Sequence, residues 1–235
     1  MIEFQHAAVV APTAEGATTI LHPTSLALAE RRISIIGANG SGKSTLARLI
    51  NGVVEPSSGS VAISSGSERL DSVSNGAAVR REVGFVFSNP DAQLIMPTAA
   101  EDVALSLRRT HRDKRERRRA ALATLERFGL AALAERSVHT LSGGQKQLLA
   151  IASVLATDPA ILVADEPTTL LDLRNARLIG DLLLSLPQQV VLVTHDLELA
   201  ARADRTLVVD AGRVVFDGAP VEAVAHYRAL SEALS

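Results

Sequence analysis

The stretch "GANGSGKST", residues 37 to 45, constrains this chain more than any other. It follows the apolar run "ISII" and opens the stretch "STLARLI", so it bridges a buried strand and a helix. Gly37, Gly40 and Gly42 free the backbone to curl with its N–H groups turned inward, and a nest of that kind at a helix N-terminus holds phosphate. The spacing G-x-x-x-x-G-K-S places Lys43 to neutralise outer phosphates and the Ser44 hydroxyl to ligate Mg²⁺. The expected nucleotide-binding set is Gly37, Ala38, Asn39, Gly40, Ser41, Gly42, Lys43, Ser44 and Thr45. A plain glycine-rich turn explains the glycines but not the Lys-Ser in register behind them.

A phosphate loop of this kind needs a second contact to its metal. "ILVADE" supplies one, because a buried strand ending in Asp165 sets a carboxylate at the sheet edge beside the loop. The expected metal ligands are therefore Ser44 and Asp165. Glu166, one residue on, can take a proton from an attacking water, or it is a surface carboxylate at a strand end. His195 closes another apolar run, "VVLVTH", and either holds the terminal phosphate or is a structural histidine.

Short β-branched runs recur at 32–37, 59–63, 82–87, 160–165, 189–194, 205–210 and 213–216. Several are apolar on both faces, the mark of parallel strands covered by helices. Helical patterns lie between them at 43–51 and 173–186, and the alternation predicts an α/β fold with a mostly parallel sheet. "VVDAGRVVFDG" reads as a hairpin, expected to join the N-terminal strand pair and 59–63 in an antiparallel sheet beside that core. Residues 98–138 have almost no strand character. Within them a helix is expected with Asp113 near its start and Gly129 just past its end, and with Ala121, Leu122, Leu125 and Phe128 on one face. The expected organisation is one domain over 1–235. Its phosphate-loop core with the antiparallel subdomain covers 1–89 and 139–235, and a helical subdomain covers 90–138.

Composition removes several classes. With no cysteine, disulfides and thiolate metal sites are excluded, which suits the cytosol. A formal net charge of −2 offers no bulk attraction for nucleic acid or for a membrane surface. No apolar run reaches the roughly 18 residues of a membrane span, the best candidate being broken by Asp158, Pro159 and Asp165. The first ten residues lack the basic region and apolar core of a secretion signal. A membrane role is expected only through a partner.

"TLSGGQKQLL", residues 140 to 149, is a second glycine-rich helix opening about 100 residues beyond the first. One pocket has no room for both loops, so the second loop is expected to serve the nucleotide of another copy, two chains packing head to tail. The alternative is an ordinary capping box, Ser142 with Gln145 at the third helical position.

The phosphate loop, "LSGGQ", "ADEPTTLLD" and "VTHD", in that order, resemble the ATP-binding cassette (ABC) ATPases across essentially the whole chain. The resemblance implies that Ser142, Gly143, Gly144 and Gln145 clasp the γ-phosphate in trans. It also implies that Thr169 to Asp172 cross the dimer interface, that Glu166 is the base and that His195 senses the γ-phosphate. Residues 83–105, "VGFVFSNPDAQLIMPTAAEDVAL", are similar to the ATPases of energy-coupling factor importers, most of all the biotin type. The resemblance implies Mg²⁺ and ATP, a homodimer or a dimer of paralogous ATPases, and two integral membrane partners: a transmembrane coupling subunit and a substrate-binding subunit. It implies a peripheral place on the cytoplasmic face of the cell membrane. Cobalt, nickel or another vitamin is the alternative cargo.

Three positions depart from the family pattern. Ser88 replaces a glutamine in the coupling loop, leaving a bridging water, substitution by Gln93, or a different mode of signalling. Ala11 stands where an aromatic usually stacks on adenine, and Leu148 where an arginine is common. The run 108–119 carries eight basic residues against two acidic ones. It is a solvated helix face or a contact for anionic lipid. Nucleic acid is not expected there, since the segment has no aromatic residue to stack on a base. A soluble ABC protein acting on DNA or ribosomes is the rival reading, but it calls for a long coiled coil or a second cassette. A P-loop kinase leaves "LSGGQ" without a purpose.

Overall fold

The computed structural model describes residues 1–13, 16–66 and 68–233. The chain opens on a long antiparallel hairpin, β1 (Ile2–Thr13) and β2 (Gly16–Leu28). β3 (Arg32–Ile36) and α1 (Lys43–Ile50) follow, then β4 (Ser58–Ser65), β5 (Glu68–Asp71), α2 (Gly76–Glu82) and β6 (Val83–Val86). A helical stretch holds α3 (Ala99–Ser106), α4 (Lys114–Arg127) and α5 (Gly143–Leu155). The last part alternates β7 (Ile161–Asp165), α6 (Leu173–Ser185), β8 (Gln189–Val193), α7 (Leu197–Ala200), β9 (Arg205–Asp210), β10 (Arg213–Gly218) and α8 (Pro220–Ala233).

Two sheets result. One is antiparallel, in the order β2-β1-β4-β5; the other runs β10-β9-β3-β8-β7-β6. Within the second, β9, β3, β8, β7 and β6 are parallel, and β10 pairs antiparallel with β9 at the edge. The hairpin of β9 and β10 thus belongs to the larger sheet, not to the antiparallel one as its turn suggested. The reason is β9 itself: its apolar residues pair parallel with β3, from Ile33 opposite Arg205 to Ile36 opposite Val208. The two sheets meet where His22 N–H donates to the Gly212 carbonyl at 2.8 Å.

Alternation along the parallel strands builds two cores. Val163 and Val191 face a cluster with Leu46, Leu49 and Ile50 of α1 and with Ile2, Phe4 and Val61 of the antiparallel sheet. Leu162, Ala164, Val190 and Leu192 face the other way, against Ile151 and Leu155 of α5 and Ile179 and Leu183 of α6. A third cluster gathers Val103 of α3, Ala121 and Leu125 of α4, and Leu149 and Ala150 of α5.

The helix over 114–127 forms as its sequence suggests. The Asp113 carboxylate accepts from the N–H groups of Arg115 and Glu116, both at 2.9 Å, and Gly129 with φ 71° ends the run. Leu122 corrects the expected face: it is 37 % exposed while Ala121 and Leu125 are fully buried. The stripe that α4 buries runs through Ala121 and Leu125, one turn apart, and Leu122 lies about 100° round from Ala121 at its solvent edge. Leu148, at the position where the family often has arginine, is half-buried against both clusters that α5 touches.

Candidate active site

The site grows from the C-terminal ends of four adjacent parallel strands, where ligands of open α/β sheets collect. β3 delivers residues 37–45, β8 delivers His195, β7 delivers Asp165 and Glu166, and β6 delivers Ser88. Gly37, with φ 149°, cannot be replaced: a Cβ there would lie 2.0 Å from the Val209 carbonyl oxygen. Gly42, with φ 103°, caps α1, and its Cβ would press on the Ile20 carbonyl at 3.0 Å. Ala38, Asn39 and Gly40 stand exposed at the loop tip, and Thr45 is half-buried in the first turn of α1.

Lys43 is almost fully buried and its Nζ donates to the Ala38 carbonyl at 2.8 Å. Burial pulls its ammonium below the ordinary lysine range, against the opposing attraction of Glu166 and Asp165. Ser41 Oγ is buried with no hydrogen-bond partner among the described residues. A buried cation and an orphaned hydroxyl, both at a curled backbone, suit an anionic ligand with oxygen acceptors.

Asp165 is 2 % exposed. Its Oδ1 accepts from Ser44 Oγ at 2.7 Å, and its Oδ2 pairs with Arg48 Nη2 at 2.9 Å. Ser44 and Asp165 thus present hard oxygen donors to one point, the donor set Mg²⁺ takes beside phosphates. Arg48 was not singled out from sequence. It lies four residues past Ser44 and so on the same helix face, but no local pattern names Asp165 as its partner.

Glu166 adopts φ 53°, unusual for a residue with a side chain, and its Oε2 lies 2.7 Å from His195 Nδ1. Thr169 Oγ1 donates to the same oxygen at 3.1 Å, a second contact missed from sequence. The backbone is anchored there by Glu166 N–H donating to the Val193 carbonyl at 3.0 Å. A carboxylate with one oxygen held and the other open is poised to receive a proton.

Ser142 and Gln145 form the capping box: Gln145 N–H donates to Ser142 Oγ at 3.3 Å, and Ser142 N–H to Gln145 Oε1 at 2.9 Å. Ser142 and Gly143 are exposed, and no hydrogen bond joins 142–145 to 37–45 among the described residues. A Cβ on Gly144 would meet Asn175 Cγ at 2.7 Å, so the Asn175 side chain would have to shift. The Asn175 N–H at 2.9 Å, and then the Asn175 side-chain amide at 2.6 Å, donate to Asp172 and hold its carboxyl below the usual range.

The coupling loop is tied to α5. Lys146 Nζ pairs with Asp91 at 2.6 Å, and Gln147 Nε2 donates to the Phe87 carbonyl at 3.5 Å. The Gln93 amide bridges two backbone groups of β6 and its exit: Oε1 accepts from Phe87 N–H at 3.1 Å and Nε2 donates to the Phe85 carbonyl at 3.2 Å. For Gln93 to stand in for the usual glutamine it must give up both bonds. Ser88 is half-buried just beyond them. No helix among the described residues is long and apolar enough to cross a membrane.

A family profile described as ABC transporter matches residues 21–169. The chain belongs to the ABC transporter family. It is similar to the biotin transport ATP-binding protein BioM of Rhizobium etli, 43% identical over 230 residues, covering 98% of this chain and 99% of that protein. It is also similar to the energy-coupling factor transporter ATP-binding protein EcfA1 of Mycoplasma pneumoniae, 38% identical over 192 residues, 80% of this chain and 69% of the relative. Among solved structures it matches the dimeric ATP-binding cassette MJ0796 bound to ADP and Pi, with a TM-score of 0.82, 32% identity, and coverage of 94% of this chain and 99% of that one. This ABC protein is therefore an ATPase with a P-loop NTPase fold, and it is the ATP-binding subunit of a transporter.

Proposed function

We propose that this ATPase drives an energy-coupling factor importer, with biotin, the cargo in the name of its BioM relative, as its cargo. Two copies, or this chain and a paralogue, close on two ATP molecules, and closure moves a transmembrane coupling subunit that carries a substrate-binding subunit. The chain then works at the cytoplasmic face of the membrane as a peripheral subunit. The observation that carries the paired arrangement is the opening of α5: Ser142 and Gly143 are exposed and bonded to no part of their own phosphate loop.

In this reading Lys43, Ser41 and the loop N–H groups bind and orient the triphosphate, and the partner's matching loop covers its far side. Ser44 and Asp165 would hold Mg²⁺, which when bound draws charge from the phosphate oxygens. Glu166 takes the proton of the attacking water on its open oxygen. His195 and Thr169 fix the other oxygen, and the imidazole keeps Nε2 for the γ-phosphate. Catalysis is positioning and charge stabilisation throughout. Ala11, half-buried on β1, provides no ring for the base, so the triphosphate supplies most of the affinity.

A groove of about 370 Å³, whose lining includes Met96, Ala104 and Leu105 with Glu101 and the basic Arg108, Lys114, Arg117 and Arg118, is the seat we assign to the coupling subunit. The Lys146–Asp91 and Gln147–Phe87 links then carry its motion into the helix that "LSGGQ" opens. Glu166→Gln should bind ATP, lose roughly 10²–10⁴ of its turnover and accumulate as an ATP-bound dimer in light scattering. A monomer at saturating ATP refutes the paired site. The cargo is read by purifying the complex from native membranes, identifying its subunits and measuring ATP-driven uptake of biotin against cobalt and nickel.

A further inference from the structure

Tertiary structure brings together two basic segments that are far apart in sequence. A cavity of about 310 Å³ is lined by Arg80 and Arg81 of α2, by Ser106, Arg109 and Thr110 at the end of α3, and by Thr157 after α5. None of the three guanidinium groups has an ion-pair or hydrogen-bond partner among the described residues. Thr110 and Thr157 already donate to the carbonyls of Leu107 and Val154, so the donors left for a ligand are the arginines and Ser106. Outside the cavity further basic residues follow at Arg112, Arg115 and Arg119, all exposed. Of the nearby acids, Asp113 caps α4 and Glu135 pairs with Arg118, while Glu116 is exposed within the basic run.

Unpaired guanidinium groups sharing one cavity repel each other. Such a cluster persists most easily where an anion completes it, and the planar guanidinium fork fits phosphate oxygens. We infer that this face binds the phosphate headgroups of an anionic lipid bilayer. A single soluble phosphate ligand would account for the cavity but not for the arginines spread beyond it. A bilayer presents many phosphates at once and engages both. Single-stranded nucleic acid lacks its usual partners, because no aromatic side chain lines the cavity or the 108–119 run. The inference is independent of the importer reading, since vesicles contain no transporter subunit.

The test is flotation of the purified full chain with vesicles, without nucleotide. Vesicles of phosphatidylcholine with phosphatidylglycerol should carry the protein, and vesicles of phosphatidylcholine alone should not. Binding should weaken with salt, since the screening length falls from about 10 Å at 0.1 M to about 3 Å at 1 M. Each basic residue near an anionic surface is worth about five-fold in partition. The combined Arg80→Gln, Arg81→Gln, Arg109→Gln variant should therefore lose more than about ten-fold, while the corresponding lysine variant keeps most of its binding. Unchanged melting and ATP affinity in the glutamine variant show that it folds. Equal flotation with neutral vesicles, or a glutamine variant that floats like the parent, overturns the inference. So does saturable binding of glycerol phosphate, or of duplex DNA, with no flotation.

Discussion

Lys43 shows how far a single residue can be read from sequence. Its role beside phosphate follows from spacing alone, but its energetic cost appears only in the fold. Burial depresses its ammonium, so folded Lys43 holds its proton less well than unfolded Lys43. At neutral pH both forms are charged and the burial penalty acts in full. It lifts as pH rises from the folded value toward the unfolded one, the window in which the unfolded chain binds more protons. Lys43→Met should therefore leave the melting temperature of the nucleotide-free protein unchanged or raised at neutral pH, and ATP should no longer raise it further. A drop of several degrees without nucleotide would show that Lys43 stabilises the empty loop. Arg48 is the opposite case. Nothing in its local pattern announces a partner, because Asp165 arrives from a strand more than 100 residues later.

At the scale of elements, α5 separates what the monomer requires from what the pair requires. A Cβ on Gly143 would meet nothing closer than the Leu170 carbonyl oxygen at 3.8 Å, whereas one on Gly144 would press into Asn175. Gly143→Ala should fold at least as well as the parent, since alanine favours a helix over glycine by about 0.5–1 kcal/mol. If the loop lies against a partner's phosphate, the added methyl should slow ATP hydrolysis more than about ten-fold, as overpacking costs roughly 1–3 kcal/mol. Melting curves and phosphate release measured on the same sample decide it; normal turnover would remove the need for a bare backbone there. The strands were legible because buried parallel strands are apolar on both faces. The membership of the 205–218 hairpin was not, because a turn specifies that two strands pair and is silent on which third strand receives them. The Leu122 error has a similar origin: several apolar residues in a row satisfy more than one helical stripe, and packing selects one.

At the scale of the whole molecule, two of the exposed apolar residues fall where a second copy is proposed. Leu170 is 65 % exposed in the loop before α6 and Leu173 is 69 % exposed at its start. Replacing both with aspartate should leave the monomer's melting within about 0.5 kcal/mol of the parent. ATP-induced dimerisation of Glu166→Gln carrying both changes should weaken more than about ten-fold, because each buried leucine contributes about 1.5–3 kcal/mol. Unaltered dimerisation in sedimentation would place the contact elsewhere. Sequence alone determined the features that depend on near neighbours: the phosphate loop, the strand-end Asp165, Glu166 and His195, the α4 cap and the opening of α5. Each is written in a few consecutive residues whose spacing is itself the geometry. Only the tertiary structure decided that Arg48 meets Asp165, that Thr169 and His195 share one oxygen of Glu166, that Gln93 clamps β6, and that Arg80, Arg81 and Arg109 line one cavity. Those contacts join residues distant along the chain, and their formation depends on the packed sheets and helices that carry them rather than on any local pattern.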